Sequence, residues 1–320
     1  MLFRSPVGRP VDAHFAVLGD DDSGRTAVVE MAAAAGLRLV PPDLRDPGAT
    51  TSYGVGELIR AALDAGCRRI LVGCGDSGTN DGGTGALQAL GARVYDESGA
   101  ELGHGGAALA AVKSVNLSTL DPRLAEAELL VAVNPHNVLC GDRGVARVFG
   151  PQKGATPAQV ERLSAGLERW AEVLEQDTGR DVRYGPGTGA SGGLGAGLAA
   201  GLGARLRPRF EVMLDHVDLD ARLARADLVI TAEGAIDRQT PHGKIPAEVA
   251  RRAKRHGRPV IALAGTIGED AAATYASGID AFHGILPFPV DLTEAMRRGA
   301  EFLADATERA LRLVRVGTAI

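Results

Sequence analysis

The chain has 320 residues, 45% of them hydrophobic and only 4% aromatic, with 35 Lys and Arg against 40 Asp and Glu for a formal net charge of −5. That length suits one large domain or two ordinary ones with a sizeable core. The acidic balance argues against a nucleic-acid or anionic-membrane surface, while a small anionic substrate needs only local donors. The three cysteines, Cys67, Cys74 and Cys140, are odd in number and lack CxxC spacing, which argues against a disulfide framework or a zinc site. A reduced, cytoplasmic setting is expected. No run approaches the roughly 18 apolar residues of a membrane span, and Met1–Pro10 has no apolar core of a signal peptide.

In chain order, Thr26–Ala35 is expected to form a strand leading into a helix that Gly36 closes. Gly54–Ala65 is expected to be a helix, followed by the strand Arg69–Gly73, a glycine loop and the helix Gly85–Leu90. Strand, glycine loop and helix in that order indicate an α/β fold with a mostly parallel sheet. Leu129–Val133 is another short strand. Thr156 and Pro157 suit the cap and first position of a helix reaching about Gln176. Its stripe Val160, Leu163, Leu167, Trp170, Val173 and Leu174 has helical spacing and is expected in the core. Gly185–Gly203 is expected to be a loop plus a small-residue helix, with Leu194, Leu198 and Leu202 four apart.

Beyond about Val212 the rhythm changes. Helices are expected at Asp218–Ala226, Ile245–His256, Ala271–Ser277 and Leu292–Val316. Strands are expected at Asp227–Ala232, Pro259–Ala264 and Ala281–Leu286. The domains are therefore expected at 1–212 and 213–320, with ligand loops at the carboxyl ends of strands.

The densest polar loop, Asp76-Ser77-Gly78-Thr79-Asn80-Asp81-Gly82-Gly83, follows directly on Arg69–Gly73. Glycines let N–H groups turn toward an anion, and a following helix start adds partial positive charge. Asp76 and Asp81 are carboxylates able to bind Mg²⁺ or take a hydroxyl proton. Capping explains one such polar residue but not five. In Thr231–Lys244, Glu233 and Asp237 lie four apart past a strand, and Gln239, Thr240 and Lys244 supply donors; the alternative is a solvated loop with a cap. Asn134–Gly141 and Phe149–Gly154 add amides and Lys153; His136 and Cys140 are read as ordinary loop or packing residues. Gly187-x-Gly189-x-x-Gly192 matches a dinucleotide fingerprint but lacks a convincing strand before it, and no Walker loop exists, since Ile245 follows Gly243-Lys244.

Across almost the whole chain these segments resemble the glycerate kinase family, of the bacterial type that phosphorylates D-glycerate at its 2-hydroxyl. The resemblance rests on Pro6–Val11, Ala27–Leu37, Thr51–Leu58, Gly73–Gly91, Val148–Ala155, Gly185–Gly197, Ile230–Lys244 and Pro259–Gly265, with NDGGTG and FGPQKGA the most specific in combination. It implies a two-domain α/β fold: a flavodoxin-like (Rossmann-like) parallel-sheet domain built from both termini, and a larger inserted α/β domain carrying the NDGG loop, with the active site in the cleft between them. It implies ATP and Mg²⁺ as co-substrates and glycerate as acceptor. Asp81 is then expected to take or orient the acceptor hydroxyl. Lys153 and Lys244 are expected to offset charge on the transferring group, and Asp76, Glu233 and Asp237 to ligate the metal. Ser77, Thr79, Asn80, Gly82, Gly83, Gln152, Gly189, Ser191, Gly192, Gly193, Gln239 and Thr240 are expected to bind substrate or nucleotide.

The loop departs from the family's GGSATNDGG in carrying Asp76, and Val133–Leu139 departs from its DVxNPL-like segment, which leaves a related hydroxy acid or the 3-phosphate as alternatives. Relative to the family, roughly 60 residues, about two βα units, are expected to be missing from the N-terminus. Leu2-Phe3-Arg4-Ser5 also matches the translated end of a common sequencing adapter, so Met1–Ser5 is expected not to be native. An incomplete C-terminal sheet with an unpaired edge is expected to leave the chain poorly soluble and weakly active or inactive. The rival readings are a nicotinamide-dependent oxidoreductase using Gly187–Gly192 and a non-catalytic anion-binding module; self-association into a homodimer is left open.

Overall fold

A computed structural model describes residues 1–21 and 24–317, which divide into two compact units, Met1–Arg209 and Phe210–Ile320. The first unit opens with an antiparallel ribbon of β1 (Leu2–Arg4) and β2 (Pro10–Asp12), in which Phe3 is buried and the Arg4 N–H donates to Glu57 Oε2 at 2.7 Å. β3 (Ala16–Asp21), β4 (Gly24–Glu30), α1 (Ala32–Ala35), α2 (Tyr53–Asp64), β5 (Arg69–Gly73) and α3 (Thr84–Ala89) follow. Next come the antiparallel pair β6 (Arg93–Asp96) and β7 (Val112–Asn116), then β8 (Glu128–Val133), α4 (Val145–Phe149), α5 (Pro157–Thr178), α6 (Ala190–Leu202) and β9 (Arg205–Pro208).

The main sheet has the order β3-β4-β5-β8-β9, parallel except for β3 at one edge. Side chains alternate between faces of a strand, and β5 buries Ile70 and Val72 while Arg69 and Leu71 are half-buried. β5 and β8 are neighbours with Gly73 opposite Ala132, so the loops after them leave the sheet side by side. α1 and α2, between β4 and β5, and α6, between β8 and β9, pack against the sheet. α5 has a capping box between Thr156 and Gln159, Pro157 in its first turn and left-handed Gly179 at its end. Its stripe from Val160 to Leu174 is buried as expected, with Trp170 fully enclosed.

The sequence does not betray β6, β7 or β9. Arg205-Leu-Arg-Pro is short and charged because it is an edge strand, where charge and proline are tolerated. The small-residue helix appears as α6, but Ser191, Gly192 and Gly193 at its start are left-handed. No strand is found at Asp181–Tyr184.

The second unit begins in α7 (Arg209–His216) and continues through α8 (Leu219–Arg225), β10 (Val229–Ile236), α9 (Ile245–Arg255), β11 (Val260–Ile267), β12 (Ala281–Gly284), α10 (Leu292–Arg297) and α11 (Gly299–Gly317). Its three-stranded sheet is parallel in the order β10-β11-β12. Two expectations are corrected here. Ala271–Ser277 is a 3₁₀ segment bounded by left-handed Asp270 and Gly278. The long closing helix breaks at Arg298, where Gly299 weakens helix propensity. Among the described residues no helix is long and apolar enough to cross a membrane.

Candidate active site

The loops leaving β5 and β8 meet the start of α6 and the Pro151–Lys153 turn around a cavity of about 290 Å³. Of the expected residues, Asp76, Ser77, Gln152, Lys153, Ser191 and Gly192 line it. This is the crevice at strand carboxyl ends where open α/β sheets take ligands.

Lys153 is buried, and its Nζ donates to Ser77 Oγ at 2.8 Å and to the Thr79 carbonyl at 2.7 Å. Burial pulls its amine down to about 7, against the opposing pull of the Asp81 carboxylate. Two of its three protons are thus held by the 77–79 segment, and the third is available to an oxygen in the cavity. Gly154 lets the turn pass close to the Arg45 backbone: it is left-handed, and a side chain there would come within 2.2 Å of the Arg45 carbonyl oxygen.

Ser191 carries a left-handed backbone, φ 53°, as does Asp76, φ 48°. This conformation costs an ordinary L-residue about 1 kcal/mol or more, and residues held in such strain cluster at functional sites. Ser191 Oγ is buried without a hydrogen-bond partner of ordinary geometry, its neighbour being the Cys74 thiol. Burial pushes that thiol up to about 11, with the Ser191 hydroxyl acting the other way.

Asp81 is not brought to the cavity. It is fully buried, and its Oδ2 accepts from the Ser52 N–H at 2.7 Å, the Ser52 hydroxyl at 2.9 Å, and the Thr51 hydroxyl and Gly85 N–H at 3.3 Å each. Its Oδ1 accepts from the Gly83 N–H at 3.3 Å. Thr79 and Asn80 are equally buried, with the Thr79 hydroxyl and both polar atoms of the Asn80 amide lacking partners. Gly82, Gly83, Gly189 and Gly193 permit close backbone packing. A side chain on Gly189 would come within 2.1 Å of the Val138 carbonyl oxygen, and one on Gly193 within 2.8 Å of Gly82 Cα. The GxGxxG glycines thus bring chain segments together, and the strand that a dinucleotide fold requires before them is absent.

The remaining expected residues form a group of their own in the second unit. Asp237 Oδ1 accepts from the Gln239 N–H at 2.8 Å and from Lys244 Nζ at 3.2 Å, and Lys244 also donates to the Ala235 carbonyl at 3.0 Å. These contacts hold the Asp237 carboxyl below the usual carboxylate range, the Gln239 N–H contributing most. The Thr240 hydroxyl accepts from the Asp237 N–H at 3.1 Å. Glu233 Oε2 is buried without a partner, and burial raises that carboxyl. Among the described residues no three His, Cys, Asp or Glu side chains converge on a metal position.

Asn134 and Asn137, from the tract expected to add amides, also line the cavity, although neither was assigned a site role; Cys74 and Arg209 on the cavity wall, and Thr51, Ser52 and Trp170 as supports of the loop, were not anticipated. Asn134 and Asn137 carried a usable signal, a polar tract directly after the apolar run of β8. Nothing local marks the others.

A cavity of this size, polar-walled and with a buried lysine at its side, defines an α/β enzyme acting on a small polar molecule. The chain belongs to the glycerate kinase family: the model of that family matches residues 2–315. It is 48% identical over 302 residues to the glycerate kinase of Bacillus subtilis (strain 168), covering 94% of this chain and 78% of the relative. It is 43% identical over 312 residues to the glycerate 2-kinase of Escherichia coli (strain K12), covering 98% and 81%. A crystal structure assigned to glycerate kinase 2 from Salmonella typhimurium LT2 superposes with a TM-score of 0.84 at 43% identity, covering 100% of this chain and 83% of that one.

Proposed function

We propose that the chain is an ATP-dependent glycerate kinase that phosphorylates the 2-hydroxyl of D-glycerate to give 2-phosphoglycerate. The observation that carries this reading is the buried Lys153 on the wall of a small polar cavity, in a chain whose relatives are named glycerate kinase and glycerate 2-kinase. In the reaction the hydroxyl oxygen bonds to the γ-phosphorus as the bond from that phosphorus to the bridging oxygen of ADP breaks, and the hydroxyl proton passes to water. Such transfer gains its rate from positioning and from cations beside the developing charge. Lys153 supplies one such cation. Ser77, Gln152 and Ser191 offer hydroxyl and amide groups to the carboxylate and hydroxyls of glycerate.

Magnesium bound with ATP would neutralise phosphate charge. It prefers one or two carboxylates, with water and phosphate completing the shell. Within the second unit, Glu233, with its unpartnered buried oxygen, and Asp237 beside it fit that demand; Asp76, on the cavity wall of the first unit, is a separate candidate ligand. Lys244, Gln239 and Thr240 belong to the same group as donors to nucleotide phosphates. In this reading the first unit is the inserted domain of the family and the second is part of its flavodoxin-like domain. A cytoplasmic setting and a homodimer accompany the proposal.

³¹P NMR of the product made from D-glycerate and ATP tests it. A 2-phosphate resonance is expected. A 3-phosphate would shift the reading to the related kinase, and no phosphorylation of glycerate would overturn it.

A further inference from the structure

We infer that Asp81 acts on the reaction through Lys153, as a positioning residue that anchors the cavity loop and keeps the lysine cationic, and does not itself touch the substrate. This deepens the kinase reading of the same cavity and rests on it.

The geometry separates the two side chains. Asp81 lies wholly inside, and its carboxylate accepts from Thr51 and Ser52 at the start of α2 and from Gly83 and Gly85 at the start of α3. Four donors from the starts of α2 and α3 meet its Oδ2 and the Gly83 N–H meets its Oδ1, and the buried carboxylate is not part of the cavity wall, so a hydroxyl held in the cavity does not reach it. Lys153 does line the cavity, and both acceptors that orient its Nζ, Ser77 Oγ and the Thr79 carbonyl, belong to the loop that Asp81 anchors. Fixing Asp81 therefore fixes the direction of the remaining lysine proton.

Charge adds to geometry. Burial disfavours the Lys153 cation and the Asp81 carboxylate favours it. The other titratable groups on the same cavity are Asp76, the Cys74 thiol and the Arg209 guanidinium. An ammonium that binds the anionic substrate must be protonated, so activity falls on the alkaline side as Lys153 loses its proton.

The test combines the pH profile of kcat/KM, which reports groups of the free enzyme, with a titration of the Lys153 ¹³Cε resonance in ¹³C-lysine-labelled protein. Asp81→Asn is expected to move both the alkaline limb and the lysine midpoint to lower pH by about one unit, as loss of a nearby opposite charge does. The acid limb should stay where it is. Ser52→Ala removes a donor from the Asp81 carboxylate and leaves its charge less offset, so it is expected to move the alkaline limb and the lysine midpoint the other way, to higher pH. It carries the test if Asp81→Asn fails to fold. In a Lys153→Arg background, where the cation is permanent, the alkaline limb should vanish and neither substitution should restore it. Loss of the acid limb in Asp81→Asn, or an unmoved lysine midpoint in both variants, overturns the inference. The resonance needs no turnover, so a protein inactive on glycerate overturns the assigned substrate and leaves the Asp81–Lys153 coupling to be decided by the titration.

Discussion

The indole of Trp170 supports the cavity loop from below: its Nε1 donates to the Gly82 carbonyl at 3.0 Å, and its Cδ1 lies 2.4 Å from where a side chain on Gly82 would begin. Gly82 has a φ of 62°, in the region that disfavours side chains. Gly82→Ala therefore meets both backbone strain and overpacking, and the two together are expected to cost about 2–4 kcal/mol. Trp170→Phe loses the hydrogen bond and leaves a buried carbonyl unpaired, at a cost of about 1–3 kcal/mol. Urea denaturation measures both. A Gly82→Ala protein as stable as the parent would mean that the indole does not occupy that space.

Lys153→Met is expected to lower kcat/KM on the order of 10²–10³-fold, the usual loss when one preorganised charge is removed. Its effect on stability depends on pH. Burial brings the folded-state amine down to about 7 from the ordinary lysine value of 10.5, so between those values the unfolded chain binds more protons than the native one. Stability attributable to this lysine then rises with pH across that window and is lost as pH falls through the folded value. The stability of the parent minus that of Lys153→Met should increase from pH 7 to pH 10. Denaturation curves at three pH values check this, and a constant difference would mean that the lysine is not depressed.

How far the sequence revealed these features depends on what each one required. The short apolar run of β5, the glycines after it and the capped stripe of α5 are local patterns, and they were legible because each element declares itself within its own segment. β6, β7 and β9 were not, since they owe their strand state to partners distant in sequence. The polar loop 76–83 marked a site, because so many polar residues after a strand exceed what capping needs. Which of its carboxylates faces the cavity was not legible. Asp81 points away because Thr51 and Ser52 meet it from α2, some thirty residues earlier. The break between α10 and α11 rests on one weak position, Gly299, inside an otherwise helical stretch.

Ser191 pairs a strained backbone with a hydroxyl on the cavity wall, and two substitutions separate them. Ser191→Ala keeps the left-handed backbone strained and removes the hydroxyl. Ser191→Gly removes the hydroxyl and relieves the strain, against a loss of unfolded-state order of about 0.5–1 kcal/mol. With left-handed strain of about 1–2 kcal/mol, the glycine variant should be the more stable of the two by up to about 1 kcal/mol. Both should raise KM for glycerate equally, because both lose the same oxygen. Thermal melts with steady-state kinetics check this; unequal KM values would place the effect in the backbone rather than in the hydroxyl.

The Lys244–Asp237 pair is half-buried at 3.2 Å, and its lysine also donates to the Ala235 carbonyl. Pairs of this exposure contribute little to folding, about 0–1 kcal/mol, so fold stability does not account for a cation beside Glu233 and Asp237. If it serves nucleotide phosphates, Lys244→Met should leave the melting temperature nearly unchanged while weakening ATP binding about tenfold, the loss of one charge-assisted contact worth about 1.5 kcal/mol. Because phosphate contacts of this kind are screened by salt, the gap between parent and variant should narrow as ionic strength rises. Isothermal titration with ATP at two salt concentrations reads both effects. Unchanged affinity at low salt would confine Lys244 to holding the Asp237 turn.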